Sequence, residues 1–209
     1  MFSFIFAQIP IGKVSAAIPG VDSTIDPTVN PSDTLPEDLD QAMGNDGMPN
    51  GVFVIGETNY SFGVATGSDG AVYYSDYSGT IRKKLPDKLG YVSLLSEEIK
   101  INTGIGGLFN IIIDADNNIV YGKDSDSNNG HVGIYNQSTG DKTIIIPNLT
   151  RPRQMAIDKD NNIYVACEDG VIKKWDKATG AVTVAAPNLF GAQGIAVMPD
   201  GTIYVLCYS

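Results

Sequence analysis

The chain has 209 residues, with 14 Lys or Arg against 24 Asp or Glu, so its formal net charge is −10. This charge opposes binding to phosphate backbones, and nucleic acid is excluded as an expected partner. No apolar run approaches the roughly 18 residues that span a bilayer, so membrane insertion is not expected. The apolar start Met1–Gln8 lacks a basic segment and is followed by Pro10, which argues against a cleaved signal peptide.

Residues 1–20 contain two apolar stretches, Phe2–Gln8 and Lys13–Ile18. The segment Gly12–Gly20 reads Gly-Lys-Val-Ser-Ala-Ala-Ile-Pro-Gly. This pattern of Gly, Ser and apolar residues before a Pro recurs further along the chain as the last strand of a repeat. We therefore expect residues 1–20 to form outer strands of a repeated unit.

Residues 21–50 interrupt the repeat with Pro27, Pro31, Pro36 and Pro49 among many Asp, Asn and Ser. Such a composition is typical of an extended loop. A short helix is predicted from Pro36 to Met43, because Pro favours the first helical turn and Gly44 follows the end. Residues 21–50 are interpreted either as an arm that mediates assembly or as a surface loop without a function.

Four segments of residues 51–209 superpose without a gap, and each reads as an apolar strand, an Asp-Gly or Asp-Asn turn and a second apolar strand. Asn and Gly tolerate the positive φ of tight hairpin turns, and β-branched and aromatic residues favour the flanking strands. Each copy is predicted to be a β-hairpin. The copies run from Ser61 to Tyr73, from Leu108 to Val120, from Pro152 to Tyr164 and from Ala192 to Tyr204.

A second pattern follows the hairpins and predicts two outer strands for each unit. It is clearest in Gly130–Asn148 and Gly170–Asn188, and looser in Gly79–Glu97, where Gly90–Leu95 is the predicted last strand. The copies that begin at Leu108 and Pro152 lie 44 residues apart, the length of one four-stranded propeller blade. The sequence therefore predicts an all-β protein, a β-propeller of about four four-stranded blades.

The hairpin that ends at Tyr204 has no outer strands after it, whereas residues 1–20 have no hairpin before them. We expect the N-terminal outer strands to pair with the C-terminal inner strands and close the ring, because closure removes two open sheet edges. Two alternatives remain. The chain forms part of a larger ring by oligomerising, or Gly51–Glu57 supplies a further strand.

The segments Pro152–Val165 and Gly194–Val205 resemble the NHL repeat and the related SMP-30/gluconolactonase and strictosidine-synthase-like propellers. These families usually have six blades, and the lactonase-like members bind a divalent cation at the central channel through Glu, Asn and Asp side chains at strand starts. Among the corresponding side chains here, only Asn110 is of a metal-binding type. The corresponding positions hold Phe62, Phe109, Arg153 and Gln193, followed by Gly63, Asn110, Gln154 and Gly194.

We assign no catalytic residue, metal ligand or cofactor from the sequence. His131 is the only histidine and has no nucleophile motif nearby, so it is interpreted as a surface or edge residue. The acidic turns Asp114–Asn118 and Asp158–Asn162 lack the Gly and Glu that complete a calcium loop and are interpreted as hairpin turns. The more open loop Asp124–Asn129 leaves a calcium ion as an alternative.

The predicted function is that of a non-enzymatic binding or assembly module for a protein or carbohydrate ligand, with an extracellular or virion surface as the favoured setting. The alternative is a metal-dependent lactonase or hydrolase of the gluconolactonase type. A third interpretation is a structural subunit or homo-oligomer that assembles through residues 21–50. The candidate contact surface is the channel mouth, lined by Phe62, Phe109, Asn110, Arg153, Gln154 and Gln193.

Cys167 and Cys207 occupy the same position of two successive repeats. They are interpreted as two small buried hydrophobic residues, with a disulfide between adjacent blades as the alternative.

Overall fold

The computed structural model describes residues 61–86, 92 and 96–208. Every regular element in these residues is a β-strand, and no helix that could span a membrane occurs among them. In chain order the strands are β1 (Ser61–Thr66), β2 (Val72–Asp76), β3 (Thr80–Lys84), β4 (Glu98–Asn102), β5 (Leu108–Ile113), β6 (Ile119–Lys123), β7 (Gly130–Tyr135), β8 (Lys142–Leu149), β9 (Pro152–Ile157), β10 (Ile163–Cys167), β11 (Ile172–Trp175), β12 (Val182–Ala186), β13 (Ala192–Val197) and β14 (Ile203–Cys207).

The strands form separate antiparallel sheets, and within each sheet consecutive strands pair. Strands β1–β4 form blade 1, β5–β8 form blade 2 and β9–β12 form blade 3. Blade 4 contains the two strands β13 and β14 within the described residues. The protein is thus an all-β β-propeller, as the repeat predicted.

The hairpin turns form as the Asp-Asn pattern predicted. Asn117 and Asn161 have φ values of 63° and 61°, in the left-handed region that Asn tolerates. The carboxylate of Asp114 accepts hydrogen bonds from the backbone and side-chain amides of Asn118, at 2.7 and 3.0 Å. Asp158 and Asn162 repeat this arrangement at 2.9 Å each. These carboxylates hold their own turns, which confirms the hairpin interpretation.

Apolar side chains between consecutive blades form the core. At each junction a residue from the second strand of one blade and a residue from the first strand of the next lie in the same buried cluster. Removing such a side chain from water contributes about 1.5–3 kcal/mol. Tyr135 and Trp175, which occupy equivalent positions of blades 2 and 3, pack against these clusters. The junction pairs are Tyr73 with Ile111, Val120 with Met155, and Tyr164 with Ile195.

The equivalent side chains at the two ends of this series are exposed. Val64 occupies the repeat position of Ile111 but is 67% exposed, and Tyr204 occupies the position of Tyr164 but is 61% exposed. Each lies on the outer face of a terminal blade, and no further blade within residues 61–208 covers that face. The predicted closing strands of residues 1–20, the arm of residues 21–50 with its helix, and the Gly51–Glu57 strand lie outside the described residues.

Two sequence-based interpretations are corrected or resolved. The last strand of blade 1 is Glu98–Asn102, so its prediction at Gly90–Leu95 is wrong. The connection between the third and fourth strands is longer in blade 1 than in blades 2 and 3. The fourth strand, which pairs with β3, therefore begins later in the sequence than the repeat predicted. Both cysteines are free thiols: Cys167 is buried, as predicted, whereas Cys207 is exposed.

Candidate functional site

The first strand of each blade begins with a β-bulge, and these bulges position the predicted contact residues. The pairing register shifts between Ser61 and Gly63 in β1, and equivalent shifts occur at the starts of β5 and β13 and opposite the start of β9. A bulge bends its strand and changes the direction of a side chain. The residues at these bulges are Phe62, Phe109, Arg153 and Gln193.

Three of these residues form a continuous row across blades 1 to 3. The rings of Phe62 and Phe109 stack with centroids 4.8 Å apart and an interplanar angle of 18°. The guanidinium carbon of Arg153 lies 4.7 Å from the centroid of the Phe109 ring, within the range of a cation–π contact. Tyr77 extends the row, because its ring meets Phe62 edge-on at 5.9 Å. We call Phe62, Tyr77, Phe109 and Arg153 the rim.

Carboxylates surround the arginine end of the rim. Arg153 Nε donates to Glu168 Oε2 at 2.9 Å, and Arg153 Nη1 lies 3.7 Å from Asp124 Oδ2. Arg151 Nη1 donates to Glu168 Oε1 at 3.0 Å and Arg151 Nε to Asp126 at 2.6 Å. Arg153 and then Arg151 hold the pKa of Glu168 below its ordinary value. Two arginines thus face three carboxylates, so the network has no uncompensated positive charge.

Tyr77 and Glu168 were missed by the sequence analysis, and Asp124 was considered there only for calcium, although the three share one repeat position. Each directly follows the second strand of its blade, and antiparallel pairing returns that strand to the bulge end of the first. Backbone bonds hold them there: Asp124 N donates to Gly107 O at 2.7 Å and Glu168 N to Arg151 O at 3.2 Å. The signal was available in the repeat, as the residue four places after the end of each predicted hairpin segment.

The amides predicted for this surface divide into different roles. Gln154 Oε1 accepts a hydrogen bond from Ile195 N at 3.1 Å, so this side chain joins blade 3 to blade 4. Asn110 Oδ1 and Asp124 Oδ1 are buried and have no hydrogen-bond partner among the described residues. Gln193 is half-buried at the bulge of β13. The structure therefore brings Phe62, Phe109 and Arg153 into direct contact, while Gln154 serves the blade junction.

The carboxylates of the Asp124–Asn129 loop, which was considered for calcium, lie beside arginines. Asp124 and Asp126 both approach arginine side chains, as described above. Among residues 61–86 and 96–208, no three His, Cys, Asp or Glu side chains meet as a group that could hold a metal ion. His131 is half-buried with its ring edge-on to Tyr121 at 5.9 Å. Burial, with a smaller effect of Lys123, lowers the pKa of His131.

No protein-family model matches the chain, and no curated protein matches it either. The fold is similar to that of a structural-genomics target described as a proposed gluconolactonase, with a TM-score of 0.57 and 12% identity over 75% of this chain and 60% of that one. It is also similar to an auxiliary nutrient-binding protein from Bacteroides ovatus, with a TM-score of 0.52 and 18% identity over 66% of this chain and 33% of that one.

A third similar structure is a protein of unknown function from Bacteroides thetaiotaomicron, with a TM-score of 0.50 and 18% identity over 68% of this chain and 43% of that one. The chain thus spans less than two thirds of the length of each of these proteins. At these identities the likeness establishes the β-propeller fold alone.

Proposed function

We propose that this propeller is a binding module that recognises a protein partner through the rim. The observation that carries the proposal is the continuous row of Phe62, Phe109 and Arg153, extended by Tyr77. Phe62 and Tyr77 are 42% and 44% exposed, so two aromatic faces remain accessible at its open end. Aromatic residues and arginine are the residue types that most often dominate the energy of protein interfaces.

The electrostatics of the rim favour a partner that offers apolar surface and hydrogen bonds. Arg153 and Arg151 are both engaged by Glu168, so neither presents a free positive charge to an anionic ligand. The rings of Phe62 and Phe109 are held at bulges of paired strands and stack on each other, so they lose little conformational entropy on binding. A carbohydrate is the alternative ligand, since sugar rings also stack on exposed aromatic faces.

Kinship with the gluconolactonase-like and NHL propellers is part of this proposal. It is supported by the hairpin motif of Pro152–Val165 and by the fold likeness to a proposed gluconolactonase. The second candidate function, a metal-dependent lactonase or hydrolase, is favoured by Asn110 Oδ1 and Asp124 Oδ1, two buried oxygens without a partner among the described residues.

The described residues do not fit a complete divalent-cation site. A hard cation takes six or more oxygen ligands in calcium sites and prefers carboxylates. Asn110 and Asp124 supply two unpartnered oxygens, and the Arg153 guanidinium lies 3.7 Å from the other oxygen of Asp124. We therefore derive no catalytic step from these residues. Elemental analysis of the purified protein separates the candidates, because a stoichiometric bound cation would favour the hydrolase.

Selection of a displayed random-peptide library tests the binding module. Peptides enriched on the wild-type protein should lose about tenfold or more in affinity for Phe62→Ala or Tyr77→Ala, since a truncated hot spot costs about 2 kcal/mol. Val184→Ala is the matched control, because Val184 is exposed on the outer strand β12, far from the rim in the blade. Peptides that bind both rim variants as tightly as the wild type would contradict the proposal.

A further inference from the structure

A concave site lies at the opposite end of the blades from the rim. It is a cleft of about 400 Å³ between β3 and β4 of blade 1 and the turns of blade 2. The rim residues stand at the start of β1, β5 and β9, whereas the cleft contains the turn that joins the far ends of β5 and β6. A ligand in the cleft therefore contacts a surface separate from the rim.

One wall of the cleft is apolar. It is formed by Ile99 and Ile101 of β4, and by Tyr135 at the end of β7. Ile99 is 41% exposed, and the Tyr135 side chain packs against the buried cluster at the junction of blades 1 and 2. The wall is thus a fixed hydrophobic surface that a ligand can cover.

The other wall carries amides and a hydroxyl group. Asn117, Asn118, Gln137 and Ser138 line it. Gln137 is held in place, because its Nε2 donates to the Tyr73 hydroxyl at 3.1 Å and to the backbone carbonyl of Asn117. Asn118 Nδ2 also donates within the protein, to Asp114 Oδ2 at 3.0 Å, so this wall offers amide oxygens and the exposed Ser138 hydroxyl group to the hydroxyl groups of a ligand.

The two charged residues of the cleft are already paired. Lys83 Nζ lies 2.6 Å from Asp69 Oδ2, and Asp116 Oδ2 accepts a hydrogen bond from Lys177 Nζ at 2.7 Å. A phosphate or carboxylate ligand would have to compete with Asp69 for Lys83. The pairing therefore favours a neutral ligand over an anionic one.

We propose that the cleft between blades 1 and 2 binds a neutral saccharide. The apolar wall would cover the C–H face of a sugar ring, and the amide wall would bind its hydroxyl groups. The volume falls within the range of ordinary small-molecule sites. The proposal is independent of the protein-binding role of the rim, because the two surfaces share no residue.

Saturation-transfer NMR with a panel of neutral sugars tests the proposal. The probes are glucose, galactose, mannose, N-acetylglucosamine and cellobiose, each at about 10 mM to detect millimolar dissociation constants. Ile99→Ala removes part of the apolar wall, and Ser138→Trp fills the cleft from an exposed turn. Val182→Ala is the matched control, because Val182 is also 41% exposed but lies on β12 of blade 3. Thermal unfolding of each variant verifies that it is folded.

We expect at least one sugar to give signals that fall about fivefold or more in both cleft variants. The signals should persist in Val182→Ala and in Phe62→Ala. Absence of signal for the whole panel would overturn the proposal, as would signals that survive in both folded cleft variants. Loss of signal in Phe62→Ala alone would place the sugar at the rim, and tighter binding of glucose 6-phosphate than of glucose would contradict a neutral site.

Discussion

Arg153 of blade 3 lies over the Phe109 ring of blade 2, with its guanidinium carbon 4.7 Å from the ring centroid. The same guanidinium donates from Nε to Glu168 at 2.9 Å, and its side chain is 12% exposed. One residue thus joins the aromatic row of the rim to its carboxylates, and it does so across a blade junction.

Replacement of Arg153 should destabilise the protein. We expect Arg153→Ala to lower the free energy of unfolding by about 2 kcal/mol, because it removes a partly buried charged hydrogen bond and a cation–π contact. Arg153→Lys should recover only part of this loss, since lysine lacks the planar fork. Urea unfolding provides the measurement. Lys159→Ala is the control and should change stability by less than about 0.5 kcal/mol, because the Lys159–Asp160 pair is exposed.

Glu168 should make stability depend on pH in the acid range. Its pKa is lower in the folded protein than its ordinary value, because Arg153 and Arg151 stabilise the carboxylate. The stabilisation is therefore complete above the ordinary glutamate pKa of about 4.3 and is lost as the pH falls through the lower folded value. The difference in unfolding free energy between wild type and Glu168→Gln should be constant from about pH 7 to pH 5 and shrink below about pH 4.

Other carboxylates with lowered pKa values, such as Asp76 and Asp158, weaken the wild type and the Glu168→Gln variant alike in acid. Subtracting the free energies of unfolding of the two proteins at each pH removes this shared effect. A difference that stays constant down to about pH 3 would show that the arginines do not stabilise the Glu168 carboxylate.

The two cysteines should react differently with a thiol reagent. Burial raises the pKa of Cys167 to about 12, and its side chain lies inside the junction of blades 2 and 3. Cys207 is exposed on β14. Since the thiolate is the reactive form, native protein should release about one equivalent of chromophore from Ellman's reagent and unfolded protein about two. Cys207→Ser should abolish the native reaction, whereas rapid labelling of that variant would show that Cys167 is accessible.

Two glycines of similar backbone conformation should respond differently to alanine. Gly170 has φ of 95° and a Cβ there would lie 2.9 Å from Phe190 N, whereas Gly201 has φ of 88° with open space around it. We expect Gly201→Ala to cost about 1 kcal/mol from backbone strain alone, and Gly170→Ala to cost about 2–3 kcal/mol because a steric clash is added. Urea unfolding of both variants measures the difference. Equal losses would exclude the clash at Gly170.

The sequence alone determined the hairpins and the blade repeat. Asn117 and Asn161 adopt the positive φ that their turns require, and the runs of β-branched and aromatic residues beside these turns form strands. These are local effects of backbone stereochemistry and strand propensity, so they can be read without knowledge of the neighbours. The position of β4 was misplaced because the loop from β3 breaks the repeat length.

Tertiary structure decided which residues meet at the candidate site and which of two equivalent residues is buried. Asp124 of blade 2 meets Arg153 of blade 3 only because consecutive blades bring their strand ends together, whereas Glu168 meets Arg153 through the pairing of β9 with β10 within blade 3. Cys167 and Cys207 share a repeat position, yet one is buried and the other exposed. The physical reason is that burial in a propeller depends on the neighbouring blade: Cys167 lies in the core shared by blades 2 and 3, whereas β14 presents exposed side chains such as Tyr204.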